Sequence, residues 1–164
     1  MDEHFRQFAR YNRWANRRLF EAVATLDDDA YRQDRGAFFR SIHGTLNHIL
    51  VADRIWLGRI QGSDPGIRAL DAILYDDRAA LDGARDTTDQ QIIEEVDRCD
   101  AARLNSVVHY STMAGEPCEN RLRWILAHVF NHQTHHRGQA HNMLSQSGGD
   151  PPPLDLMIYL RTLP

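Results

Sequence analysis

Residues 131–139, NHQTHHRGQ, hold three of the chain's nine histidines. His132 and His136 stand four apart, so on a helix they project from one face, one turn above the other. Neutral imidazole is a common ligand for divalent metals, and a pair at this spacing can grip one ion. A zincin places a glutamate directly after the first histidine, to act as base. Here that position is Gln133, which cannot take a proton. The stretch has zincin ligand spacing without the zincin catalyst.

On a wheel at about 100° per residue, Ile125, Val129, His132, His136, Gln139 and Met143 fall within roughly a quarter of the circumference. The two histidines are therefore expected within the buried stripe, where each needs a polar partner. One divalent ion satisfies both. A third ligand must come from a facing helix. His48 is the best candidate, because Ala52 and Ile55 extend a second apolar flank on its side of the helix. His43 is the competitor, farther from the stripe and expected to be exposed. A His128/His132 pair is an alternative, although His128 drifts to the stripe's edge, where a place at the mouth suits it better. His135 points about 100° away from His136. His141 falls on the far side of the helix, and His4 and His109 read as surface residues.

The elements that must position these side chains follow from periodicity. Residues 4–26 read as a helix with Phe5, Phe8, Asn12, Ala15, Leu19, Val23 and Leu26 on its buried face. Arg6, Arg10, Arg13 and Arg17 gather on another side, read as a solvated face. A second helix is expected from Ser41 to about Ile60, with Asp53 inside its apolar stripe. A carboxylate there needs a partner: an arginine, a histidine or a helix terminus. GSDPG, residues 62–66, is a turn cluster. A third helix is expected from about Leu70 to Arg98, using Ile73 and Leu74 in its apolar pattern. SVVHY (106–110) and EPCENRL (116–122) flank a short hairpin or irregular crossover. The fourth helix is expected from about Arg121 to Ser147, ended by Gly148 and Gly149 and by the three prolines after them. The apolar tail LDLMIYLRTL should pack back onto the rest. Four long amphipathic helices make an all-α four-helix bundle, expected as one domain over residues 1–164.

Composition narrows the function. The net charge is −4, which gives nucleic acid no general attraction. The 19 basic residues are all arginine, which rules out a Schiff-base lysine and a P-loop lysine. No G-x-S-x-G elbow is present. No apolar run reaches the roughly 18 residues a membrane span needs, and the charged start MDEHFRQF lacks a signal-peptide core. A cytoplasmic protein with no membrane partner is expected. Cys99 and Cys118 form no CxxC pair and read as two reduced, buried thiols.

YNRWANRRL (11–19), GTLNHILVADRIWL (44–57), HVFNHQTHHRGQ (128–139) and the PPPLDL tail together resemble the DinB family over essentially the whole chain. The resemblance implies a DinB/YfiT-like bundle, a homodimer, and a divalent metal such as zinc or nickel held by three histidines. By motif position these are His48, His132 and His136, the three that the wheel favours. Members of the wider superfamily resemble thiol-dependent transferases and isomerases, which use mycothiol, bacillithiol or glutathione, and metal-dependent hydrolases. Three neutral ligands would leave an open, catalytic type of site that can activate water or a small thiol towards a small-molecule substrate. The alternative is non-catalytic: a metal that staples the bundle or is sensed by it. Asp53 and His128 are plausible groups for orienting the ligands.

Overall fold

The computed structural model describes residues 2–163. Four long helices carry the fold: α1 (Asp2–Val23), α3 (Ile42–Gln61), α4 (Arg78–Asp97) and α6 (Leu122–Gln146). Three single-turn helices connect or finish them: α2 (Asp28–Arg32), α5 (Ala101–Asn105) and α7 (Leu156–Leu160). Strands β1 (Val107–Ser111) and β2 (Pro117–Arg121) form an antiparallel hairpin before α6, with Val107 opposite Arg121 and Ser111 opposite Pro117. The architecture is the expected all-α bundle, with α1 packed mainly on α4 and α3 on α6.

Local chemistry sets the helix starts. Ser41 caps α3 by accepting a hydrogen bond from the Gly44 amide at 3.0 Å. Asp77 caps α4 in the same way, accepting from Ala80 at 2.7 Å. That cap corrects the expected start of the third helix at Leu70. Residues 62–77 instead run as an irregular segment beside α3, leaving Leu70 and Ile73 about half exposed. At the end of α6, Gly148 takes a left-handed φ of 75° and the Gly149 amide bonds back to the Leu144 carbonyl. This closes α6 as its glycines predict. The tail does pack back: Tyr159 on α7 meets Tyr11, whose hydroxyl donates to the Leu154 carbonyl at 2.7 Å.

The arginine row of α1 is not simply solvated. Arg10 makes two hydrogen bonds to Asp97, and Arg13 holds Asp86 and Gln90, so the row rims the contact with α4. Cys99 is buried as expected, but Cys118 is half-buried, because the hairpin turns much of β2 outward.

Besides the small cluster under the tail, the apolar core has two main parts. One cluster gathers Phe5, Leu57, Ile92, Val96, Leu126 and Phe130, among others; a second gathers Leu19, Ile42, Ile49, Leu81, Ala140 and Leu144. Buried polar side chains from all four long helices lie along the same packed faces. Asp53 of α3 pairs with Arg85 of α4 at 2.7 Å, and Arg85 also holds Asp89 at 3.0 Å. Asn12 and Asn16 of α1 donate to Asp89 at 3.1 Å. Arg137 of α6 donates to the side-chain oxygens of the same two asparagines, at 2.7 and 3.1 Å. Gln133 of α6 donates to Asp53. Two aspartates balance two arginines, so the layer is neutral when all four are charged. Among the helices of the described residues, none is long and apolar enough to cross a membrane.

Candidate metal centre

The structure brings His48 of α3 together with His132 and His136 of α6. One ring nitrogen from each lies within 4.8 Å of the others. The ring centroids are 5.0 Å apart for His48 and His132, 4.5 Å for His48 and His136, and 4.3 Å for His132 and His136. The Nε2 atoms of His48 and His132 approach to 3.1 Å. Two nitrogens sharing one tetrahedral zinc at about 2.0 Å sit roughly 3.3 Å apart, so this spacing suits a common ion.

Two of the rings are held by their far nitrogens. His48 Nδ1 lies 2.8 Å from the Leu70 carbonyl, and His136 Nδ1 lies 2.8 Å from Gln139 Oε1. Both partners are acceptors, so each Nδ1 carries the proton and each Nε2 keeps its lone pair. The Nδ1 of His132 is buried without a partner. Burial disfavours the cationic form in each ring. It pushes His48 down to about 4 and His132 to about 3, and it lowers His136 as well, with neighbouring imidazoles adding to each effect. All three are therefore neutral at pH 7, the state in which imidazole binds metal.

An aromatic lid completes the surroundings. The Phe39 ring stacks on His48 with centroids 3.6 Å apart and planes 15° from parallel, and meets His136 edge-on at 5.5 Å. Phe39 belongs to a tight turn closed by a bridge between Ala37 and Arg40, with Arg40 at a left-handed φ of 66°. The turn seats on α3 because residue 44 is glycine: a Cβ there would lie 2.2 Å from the Phe39 carbonyl oxygen. On the outer side of Phe39 is a cleft of about 700 Å³, walled by Phe38, Leu70 and Ile73 and by Arg32, Arg40 and His43.

The other histidines sort differently from expectation in one case. His43 is buried rather than exposed, since the segment after α3 folds over it and its Nε2 lies 3.2 Å from the Tyr75 carbonyl. His128 stands beside the centre without joining it, its ring 5.7 Å from His132 and 5.0 Å from Trp56. His135 is exposed and reaches Gln139 Nε2 at 3.2 Å. His141 meets the Pro152 carbonyl, and His109 lies beside Glu119 on the hairpin.

The stripe on α6 also needs correction. Its most deeply buried members include Leu122, Leu126, Gln133, Arg137, Ala140 and Leu144, whereas His132 and His136 are half-buried on its flank. Hydropathy hid the true centre because two of its residues are polar. Asp53 has its partners in Arg85 and Gln133. Phe39 and the Leu70 carbonyl carried no signal in the sequence, since loop packing alone brings them to His48. Gln139 carried one, lying three residues after His136.

The fold and site together define an all-α bundle in which two facing helices bring three imidazoles to one point. The family model described as "DinB family" matches residues 1–162, and the chain belongs to that family. It is 26% identical to Protein DinB of Bacillus subtilis (strain 168), over 92% of this chain and 90% of the relative. A crystal structure of a DinB-like protein from Bacillus cereus ATCC 10987 shares the fold, with a TM-score of 0.65 at 18% identity. That match covers 85% of this chain and 89% of the other.

Proposed function

We propose that this protein binds one divalent metal ion through His48, His132 and His136 and uses it as an enzyme, on a small-molecule substrate with water or a low-molecular-weight thiol as nucleophile. The observation that carries the reading is the convergence of three neutral rings, two with Nδ1 tied outward so that Nε2 faces the shared centre. The donor set contains no carboxylate or thiolate. A divalent ion held there would act as a Lewis acid of full +2 charge with room for a further ligand, favouring hydroxide or thiolate over water or thiol. Zinc and nickel both suit an all-imidazole set.

The chain's own groups do the rest. The Leu70 carbonyl and the Gln139 amide keep two donors in one tautomer and one orientation. Burial keeps protons off the rings. Phe39 covers one face of His48, and the adjoining cleft offers an apolar wall whose rim carries Arg32 and Arg40 balanced by Asp34 and Asp71, a place for a substrate with an apolar body.

The test is elemental analysis of native protein, followed by zinc and nickel titration of wild type and of His48→Ala, His132→Ala and His136→Ala. Near-stoichiometric binding in wild type, lost in each variant while helical content persists, supports the centre. Unchanged affinity in the variants refutes it. Turnover of a thiol-plus-electrophile or ester panel that disappears on chelation supports the enzyme. The stapling role has less behind it, because the apolar clusters and the polar layer form without help from the histidines. A chelator should leave a helical bundle that still melts cooperatively, whereas complete unfolding on chelation would favour the staple.

A further inference from the structure

We infer that the buried polar layer sets the rotation and register of α6 against α3, and that Gln133 and Arg137 are positioning residues for the metal ligands. The inference rests on the metal-binding reading and extends it to residues that touch no ligand atom.

Three observations support it. First, Gln133 and Arg137 each directly follow a ligand, His132 and His136, and so project about 100° around α6 from it. Anchoring the first pair fixes the direction of the second. Second, the anchors reach the right elements. Gln133 bonds to Asp53, five residues after His48 on α3, so one contact ties together the two helices that supply all three ligands. Arg137 bonds to Asn12 and Asn16, which ties α6 to α1. Third, stability alone does not account for the layer. Desolvating buried ion pairs costs as much as their attraction returns, and an apolar layer of the same volume would serve the fold as well or better.

The geometry explains why a polar layer is useful here. Apolar contacts are non-directional, so a smooth helix face can turn or slide at little cost. Hydrogen bonds are directional. A rotation of α6 by about 10° moves a side-chain atom roughly 6 Å from its axis by about 1 Å. Working sites are held to about 0.5 Å. The apolar clusters on their own would not hold the imidazoles to that tolerance.

The experiment measures zinc and nickel dissociation constants for wild type, Gln133→Leu, Arg137→Met and Arg137→Lys, each at a temperature where its helical signal is fully native. Gln133→Leu leaves Asp53 paired with Arg85 and orphans no charge, so it carries the test if Arg137→Met fails to fold. Wild type in enough urea to lower its melting temperature equally serves as the stability-matched control. Groups that orient metal ligands are worth about 10- to 100-fold in affinity. The expected result is a loss of about tenfold or more in Gln133→Leu and Arg137→Met, partial recovery in Arg137→Lys, and little loss in the urea-matched wild type. Unchanged affinity in both variants overturns the inference and leaves the metal centre standing. An equal loss in the urea control also overturns it, since affinity would then follow global stability. A wild-type chain that takes up neither metal overturns the metal centre and the inference together.

Discussion

Replacing Gly44 by alanine sets two effects of opposite sign against each other. Alanine is favoured over glycine inside a helix by about 0.8–1.0 kcal/mol, and by less in the first turn. At this position, however, the new methyl group would lie 2.2 Å from the Phe39 carbonyl oxygen and 3.3 Å from its carbon. The obstacle is backbone, so no side-chain rotation relieves it, and the turn holding Phe39 must lift away from α3. Overpacking of this kind costs about 1–3 kcal/mol. The steric cost wins, for a net loss of up to about 2 kcal/mol, which lowers Tm by about 2–4 °C for each kcal/mol in a chain of this size. Lifting the turn also unstacks Phe39 from His48, so metal affinity should fall with stability. Gly83→Ala is the matched control: nothing lies within 4 Å of a Cβ there, so the helix preference acts alone and the melting temperature should rise. Thermal melts followed by circular dichroism, paired with metal titrations, give both numbers. A Gly44→Ala protein as stable as wild type, with its affinity intact, would show that the turn does not press on α3 as described.

Acid should destabilise the metal-free protein from about pH 6.5 downward. His48 and His132 have folded values of about 4 and 3, below the ordinary 6.5, so between these limits the unfolded chain binds more protons and each ring removes up to about 1.4 kcal/mol per pH unit, less where solvent screens it. Asp53, pushed up to about 6 by burial against the pull of Arg85, acts in the opposite direction between about pH 4 and 6, but one carboxyl does not offset two rings. Urea melts from pH 8 to 4 check the sign, and a flat profile refutes it. Asp53→Ala leaves the fully buried Arg85 with one aspartate instead of two and should cost about 3–5 kcal/mol, read as a shifted denaturant midpoint. Gln139→Leu removes the acceptor for His136 Nδ1 and should weaken zinc or nickel binding about tenfold with little change in melting temperature.

Much of the fold was legible because it is written locally. The apolar repeat of α1, the start of α3 at Ser41, the break in helical period before α6 and the glycines after it each depend on residues near in sequence, although the break alone did not distinguish a hairpin from an irregular crossover. The histidine pair was legible for the same reason, since helical spacing alone puts His132 beside His136. What misled was polar burial and loop packing. Gln133 and Arg137 lie at the centre of the α6 stripe, so a reading that counts only apolar residues turns the helix towards its histidines. His43 looked exposed because the segment that covers it is irregular and carries no periodicity.

By itself the sequence determined the four long helices, the histidine pair on α6 and the best third candidate on α3, all consequences of a repeat that a helix imposes on its own residues. Only the tertiary structure decided that His48 meets that pair, that the Leu70 carbonyl and Phe39 fix it there, and that Asp53 finds Arg85 and Gln133. Those contacts join residues far apart in the chain, and their geometry depends on how helices rotate and slide against one another, which no single helix's sequence encodes.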